Sequence, residues 1–226
     1  MIKSSTIGAV LFDLDGTLID TRSRFYLVFN KSMEKFNLPT ISRKVFDKRY
    51  TNATLDRLIP DDLRIQFWEY FLEDYSNVSA PDESMIPGSK EALQELKKRG
   101  IAIGVVTGRI ASIESVWREL KRYELDPFVD IVYTRVKNQN RGDYYFSKED
   151  NLIAALKTLS FKPSESIYVG DHIADIRSGK KIGMITVAVL SGGIKREILS
   201  REKPDLIIES VAKLPSIIIT APCDKQ

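Results

Sequence analysis

Two aspartates, Asp13 and Asp15, stand one residue apart directly after the apolar run Ala9 to Phe12. Carboxylates placed so closely at the end of a buried segment repel each other, so the fold must either offset their charge or use it. Further polar groups end later apolar runs. "IAIGVV" (101–106) runs into Thr107-Gly108-Arg109, "SIYV" (166–169) runs into "GDHIAD" with Asp171 and Asp175, and Lys148 precedes a helical pattern in "YFSKEDNL". Four carboxylates converging on one crevice demand a hard cation with oxygen ligands, and Mg²⁺ suits a site that also keeps water and a phosphate. Lys148 and the Thr107 hydroxyl then read as donors to phosphate oxygens. On this reading Asp13 is a nucleophile that accepts a phosphoryl group. Asp15, offset by the turn, protonates the leaving oxygen and then activates water.

Such convergence needs a scaffold that gathers strand ends. Ile7 to Phe12, Ile101 to Val106, Val129 to Tyr133, Ser166 to Val169, Met184 to Leu190 and Leu206 to Ile208 are apolar runs without polar alternation. Helical patterns separate them, for example Ala92, Leu93 and Leu96, or Ile113, Val116 and Leu120. Unalternated strands between helices predict an α/β fold, a Rossmann-like parallel sheet with helices on both faces. Ligands bind such sheets beyond the carboxyl ends of the strands, where strand order reverses. From about Thr21 to Met85 the pattern holds no convincing strand. Phe25, Phe29, Met33 and Phe36 share one helical face, and Leu63, Phe67, Phe71 and Tyr75 share another. This predicts an inserted all-helical cap: core 1–18, cap 19–87, core 88–226.

Bulk properties bound the alternatives. Thirty-four basic residues nearly cancel 31 acidic ones, so no overall charge calls for nucleic acid. The longest apolar runs are too short for a bilayer, and no secretory leader pattern opens the chain. Cys223 is the single cysteine, which favours a reducing compartment and a cytoplasmic location. The expected partner is a small phosphorylated substrate, with no nucleic acid or membrane, for a monomer or homodimer.

"DLDGT", "VVTG", Lys148 and "VGDHIAD" occur in the order and approximate spacing of the four motifs of the haloacid dehalogenase-like superfamily. The chain resembles the phosphatase branch of that superfamily, with a first-type helical cap, from Ile7 to about Leu214. "PGSKEALQELKKRG" and the closing "SGGIKREILSREKPDLIIESVAKL" resemble the phosphoglycolate phosphatases of that branch in particular. The resemblance implies that Asp13 is both nucleophile and Mg²⁺ ligand, and that Asp15 is the acid/base and lends its main-chain carbonyl to the metal. It also implies that Thr107 and Gly108 bind phosphate, that Asp171 ligates the metal, and that Asp175 is a ligand or supports one. The third motif departs from the Lys-Pro of many relatives, since Phe146 occupies that position. Lys148 is the expected lysine and Lys137 the fallback.

A phosphomutase or pyrophosphatase could use the same machinery. A receiver-type signalling domain also accepts phosphate on aspartate, but an acid/base at Asp15 works against keeping it there. His172, the only histidine, is expected at the rim of the site rather than as a proton carrier. The cap is basic in its first half, and Arg22, Arg24 and Arg49 are the candidates to reach a second anionic group on the substrate.

Overall fold

The computed structural model describes residues 2–3, 7–135 and 146–219. Within them, the apolar runs form a six-stranded parallel sheet of β1 (Ala9–Phe12), β2 (Ala102–Val106), β3 (Ile131–Tyr133), β4 (Ser166–Gly170), β5 (Ile185–Val189) and β6 (Leu206–Ile208). The spatial order is β3-β2-β1-β4-β5-β6. The chain builds outward from β1 to β3, then returns to the other side of β1, so order reverses between β1 and β4. Phe12 lies opposite Val105 on one side and Val169 on the other.

After β1 the chain leaves the sheet. A two-residue antiparallel ribbon joins Ile19–Asp20 to Ser84–Met85, although the pattern predicts no strand up to Met85. Two residues are too few to leave an alternation in a sequence, so this pairing was not legible. Between its strands lie α1 (Arg22–Lys35), α2 (Arg43–Thr51) and α3 (Arg64–Tyr75). The two predicted apolar faces meet, with the Phe29 ring 5.3 Å from Phe67 and Phe25 4.6 Å from Phe71. Phe46 of α2 is fully buried beside them, giving these helices an apolar core of their own.

The sheet faces are covered as a parallel sheet requires. Leu11 of β1 packs with Leu152 and Leu156 of α6 (Glu149–Leu159), following α4 (Ser89–Lys98) and α5 (Ile113–Arg122) in the chain. Its neighbours Val10 and Phe12 point to the opposite face, with Leu93 and Leu96 of α4 and Val116 of α5. Helix α5 begins at Ile113 with Ser112 as its cap. Strand β1 begins at Ala9, because the Gly8 amide turns to the Glu165 carbonyl at 3.0 Å. No helix among the described residues is long and apolar enough to cross a membrane.

Phe67 is fully buried where α1 and α3 meet. Phe67→Ala is expected to cost about 3–5 kcal/mol of unfolding free energy, read from urea titration. An unchanged midpoint would contradict the packing described.

Candidate active site

The sheet itself holds the first acidic residue in place. The Asp13 amide continues the β1 ladder, donating to the Val169 carbonyl at 2.8 Å. Asp171 follows Gly170 at the end of β4, and Asp175 lies in the first turn of α7 (Ile173–Lys181). Lys148 caps α6, and its amide donates to the Ser178 hydroxyl of α7 at 3.1 Å. Two strand ends and two helix starts therefore meet at the point where strand order reverses.

Lys148 Nζ bridges two carboxylates, 2.6 Å from Asp13 Oδ1 and 2.7 Å from Asp175 Oδ1. Asp175 also accepts from the Tyr168 hydroxyl and the His172 amide, each at 3.0 Å. One carboxylate oxygen each from Asp13, Asp171 and Asp175 lies within 4.8 Å of the other two, and all three residues are buried. The backbone has been cleared for Asp171: a Cβ on Gly192 would stand 1.8 Å from its Oδ2. Gly16 (φ +74°) leaves it similar room.

This crowding sets the protonation states. Burial pushes Asp13 up to about 7; Lys148 pulls it down, while Asp175 and Asp15 push it higher. Asp171 is driven well above the ordinary carboxylate range by burial, Asp13 and Asp175. Burial works against the Lys148 charge, but Asp13 and Asp175 outweigh it and hold the ammonium protonated. Three buried carboxylates with a single lysine bridging two of them form an oxygen donor set with excess negative charge, which suits a hard divalent cation such as Mg²⁺.

Asp15 faces the other way. Burial would raise it, but Arg109 overcomes that and Asp15 is held at about 2. Arg109 clamps it with two bonds, Nε to Oδ2 at 2.7 Å and an NH2 to Oδ1 at 2.6 Å. The Thr21 and Tyr75 hydroxyls donate to Oδ1 at 2.8 and 3.2 Å. Arg109 is also paired with Glu119 of α5, which accepts from Arg24 of α1 at 3.0 Å, and Arg24 in turn is paired with Glu83 beside the ribbon. A largely buried chain of alternating charges thus runs from Asp15 to both strands of the connection between sheet and helices.

Arg109, Glu119 and Tyr75 escaped the sequence reading. The arginine was visible at the end of a buried strand, but its partners are assembled only by the fold. Thr107 is fully buried and its hydroxyl accepts from the Arg109 amide at 3.2 Å, so it shapes the loop, whereas Gly108 lines the cavity. His172 also lines the cavity while its Nδ1 accepts from the Ala174 amide, and burial keeps the imidazole neutral. Arg22 and Arg24 are paired with Asp20 and Glu83, and neither they nor Arg49 lines the cavity. Lys137 lies outside the described residues.

A family model described as haloacid dehalogenase-like hydrolase matches residues 10–189. The chain is similar to pyrophosphatase PpaX of Bacillus pumilus (28% identity, covering 96% of this chain and 99% of that one). It is also similar to pyrophosphatase PpaX of Bacillus mycoides (30% identity, covering 94% and 97%). Among solved structures, a haloacid dehalogenase-like hydrolase from Streptococcus pneumoniae superposes with a TM-score of 0.73 at 19% identity, covering 94% of this chain and 99% of that one. A predicted phosphoglycolate phosphatase from Haemophilus somnus gives 0.68 at 20% identity, covering 95% and 99%. At these identities the two structures establish the fold.

Asp15 is depressed from 3.8 to about 2, so its contribution to stability is complete above pH 4 and is lost as pH falls through 2. Arg109→Met leaves the carboxylate uncompensated, which typically costs about 3–5 kcal/mol for a buried pair. The gap in unfolding free energy between wild type and variant is expected to be largest near pH 6 and to narrow between pH 4 and pH 2. A gap constant across that range would contradict the clamp.

Proposed function

The chain belongs to the haloacid dehalogenase-like hydrolase family and is an enzyme of its phosphatase type, and from that premise we propose a Mg²⁺-dependent hydrolysis of a small phosphorylated metabolite with Asp13 as nucleophile. The observation that carries this reading is the buried Lys148 ammonium, bonded at once to Asp13 and Asp175 beside a third carboxylate. Asp13, Asp171 and Asp175 would hold Mg²⁺, with the Asp15 main-chain carbonyl as a further ligand. Bound there, the metal would screen the phosphate dianion from the attacking carboxylate.

Asp13 attacks phosphorus, the bond from phosphorus to the leaving oxygen breaks, and Asp15 gives that oxygen its proton. Asp15 then takes a proton from water, whose oxygen attacks the aspartyl phosphate, and phosphate departs as Asp13 is regenerated. Lys148 keeps Asp13 oriented and offsets its charge, while Gly108 leaves room for the phosphate beside it. In the arrangement described Asp15 is ionised, the form its base step needs. Its acid step needs the Arg109 clamp to open and Asp15 to take up a proton before the leaving oxygen departs. The helices between 19 and 87 act as a cap on the core formed by 1–18 and 88–226, with the short ribbon as hinge.

Pyrophosphate is a second candidate substrate, favoured by the names of the Bacillus relatives. It would use the same nucleophile.

Asp13→Asn is expected to remove at least 10³-fold of p-nitrophenyl phosphate turnover while circular dichroism shows an intact fold. EDTA should abolish wild-type turnover, and added Mg²⁺ should restore it. Substantial activity in Asp13→Asn, or full activity in EDTA, would refute the mechanism.

A further inference from the structure

The cavity that opens over Asp13 has a volume of about 360 Å³. Its floor is ionic, but its roof is aromatic: Phe25, Tyr50, Trp68, Phe71, Tyr75 and Phe146 line it. These rings form one continuous surface. Phe25 stands edge-on to Tyr50 at 5.2 Å and is tilted against Phe71 at 4.6 Å, and Trp68 meets Phe71 and Phe146 edge-on, each at 5.2 Å. Phe25, Tyr50 and Phe146 are only half-buried, unlike Phe29, Phe46 and Phe67 in the sealed core behind them.

The charges along the wall narrow the choice of substrate. Among the described residues, five carboxylates and three cations line the cavity, and each cation already has a carboxylate partner. Lys148 holds Asp13 and Asp175, Arg109 holds Asp15 and Glu119, and Arg64 lies 3.1 Å from Asp56. Asp56 is also fixed by the Trp68 indole N–H at 2.8 Å. Mg²⁺ would offset the charge at Asp13, Asp171 and Asp175, so a second anionic group away from the metal would find only cations already engaged by carboxylates. An uncharged ring would instead meet faces and edges suited to stacking.

We propose, building on the phosphatase reading above, that the substrate is a phosphate monoester whose alcohol carries an uncharged aromatic or heteroaromatic ring. The ring packs among Phe25, Trp68 and Phe146 while the phosphate meets Asp13. Hydrolysis consumes one water: the ester's P–O bond breaks, the water oxygen ends on phosphate, and the ring alcohol leaves with a proton from Asp15. The second-anion role expected of Arg22, Arg24 or Arg49 has no place in this arrangement.

The test compares kcat/KM for benzyl phosphate, ethyl phosphate, phosphoglycolate and pyrophosphate with the full chain in Mg²⁺. Benzyl phosphate is expected to exceed each of the others by tenfold or more. Phe25→Ala is expected to bring the benzyl-to-ethyl ratio down about tenfold, chiefly through a higher KM for the benzyl ester. A wild-type ratio below tenfold, or preference for phosphoglycolate or pyrophosphate, overturns the ring assignment and leaves the phosphatase reading standing. Absence of turnover with all four and with p-nitrophenyl phosphate overturns the phosphatase reading itself.

Discussion

Everything at this site depends on one buried ammonium. Lys148 sits among Asp13, Asp171 and Asp175, where water cannot screen like charges and each additional anion raises the others. Removing an ammonium to the interior is costly on its own. Two short contacts to carboxylates offset that cost, and in return Lys148 fixes Asp13 at the end of β1. The lysine leaves the three acids still short of positive charge. That deficit makes the cluster a receptor for a divalent cation, whose charge would in turn let a phosphate dianion approach the acids.

The second acid is handled by a separate circuit. Asp13 and Asp15 are two residues apart, yet one is raised to about 7 and the other lowered to about 2. The difference comes from their partners: Asp13 shares a lysine with other acids, whereas Asp15 has a guanidinium clamped to both its oxygens. Two carboxylates with opposed shifts are suited to different tasks in one reaction. Because Arg109 leads through Glu119 and Arg24 to Glu83, the charge state of Asp15 is tied to the chain segments that join helices to sheet. Any movement of the helical segment must rearrange that chain of ion pairs or carry it along.

Residues whose role follows from their position on a strand were legible in the sequence. Asp13 and Asp171 end apolar runs, and Lys148 and Asp175 begin periodic ones, so a parallel sheet carries them toward one crevice, with Lys148 singled out from Lys137 by the family resemblance. The clamp on Asp15 was not legible, because Arg109, Glu119 and Tyr75 come from three different elements and share no spacing. The roof of the cavity was only half legible. Phe25, Phe71 and Tyr75 announced apolar helix faces, but a face that seals a core and a face that opens on a cavity have the same periodicity. The ribbon at Ile19–Asp20 and Ser84–Met85 was invisible for lack of length.

The account rests on a covalent bond between Asp13 and phosphorus, and that bond can be sought directly. Enzyme quenched with acid in the first turnover and treated with borohydride converts an acyl phosphate to the corresponding alcohol, which peptide mass spectrometry locates. The account predicts reduction of Asp13, dependent on substrate and Mg²⁺ and absent from Asp15, Asp171 and Asp175. Reduction at another aspartate, or none while turnover proceeds, would contradict it.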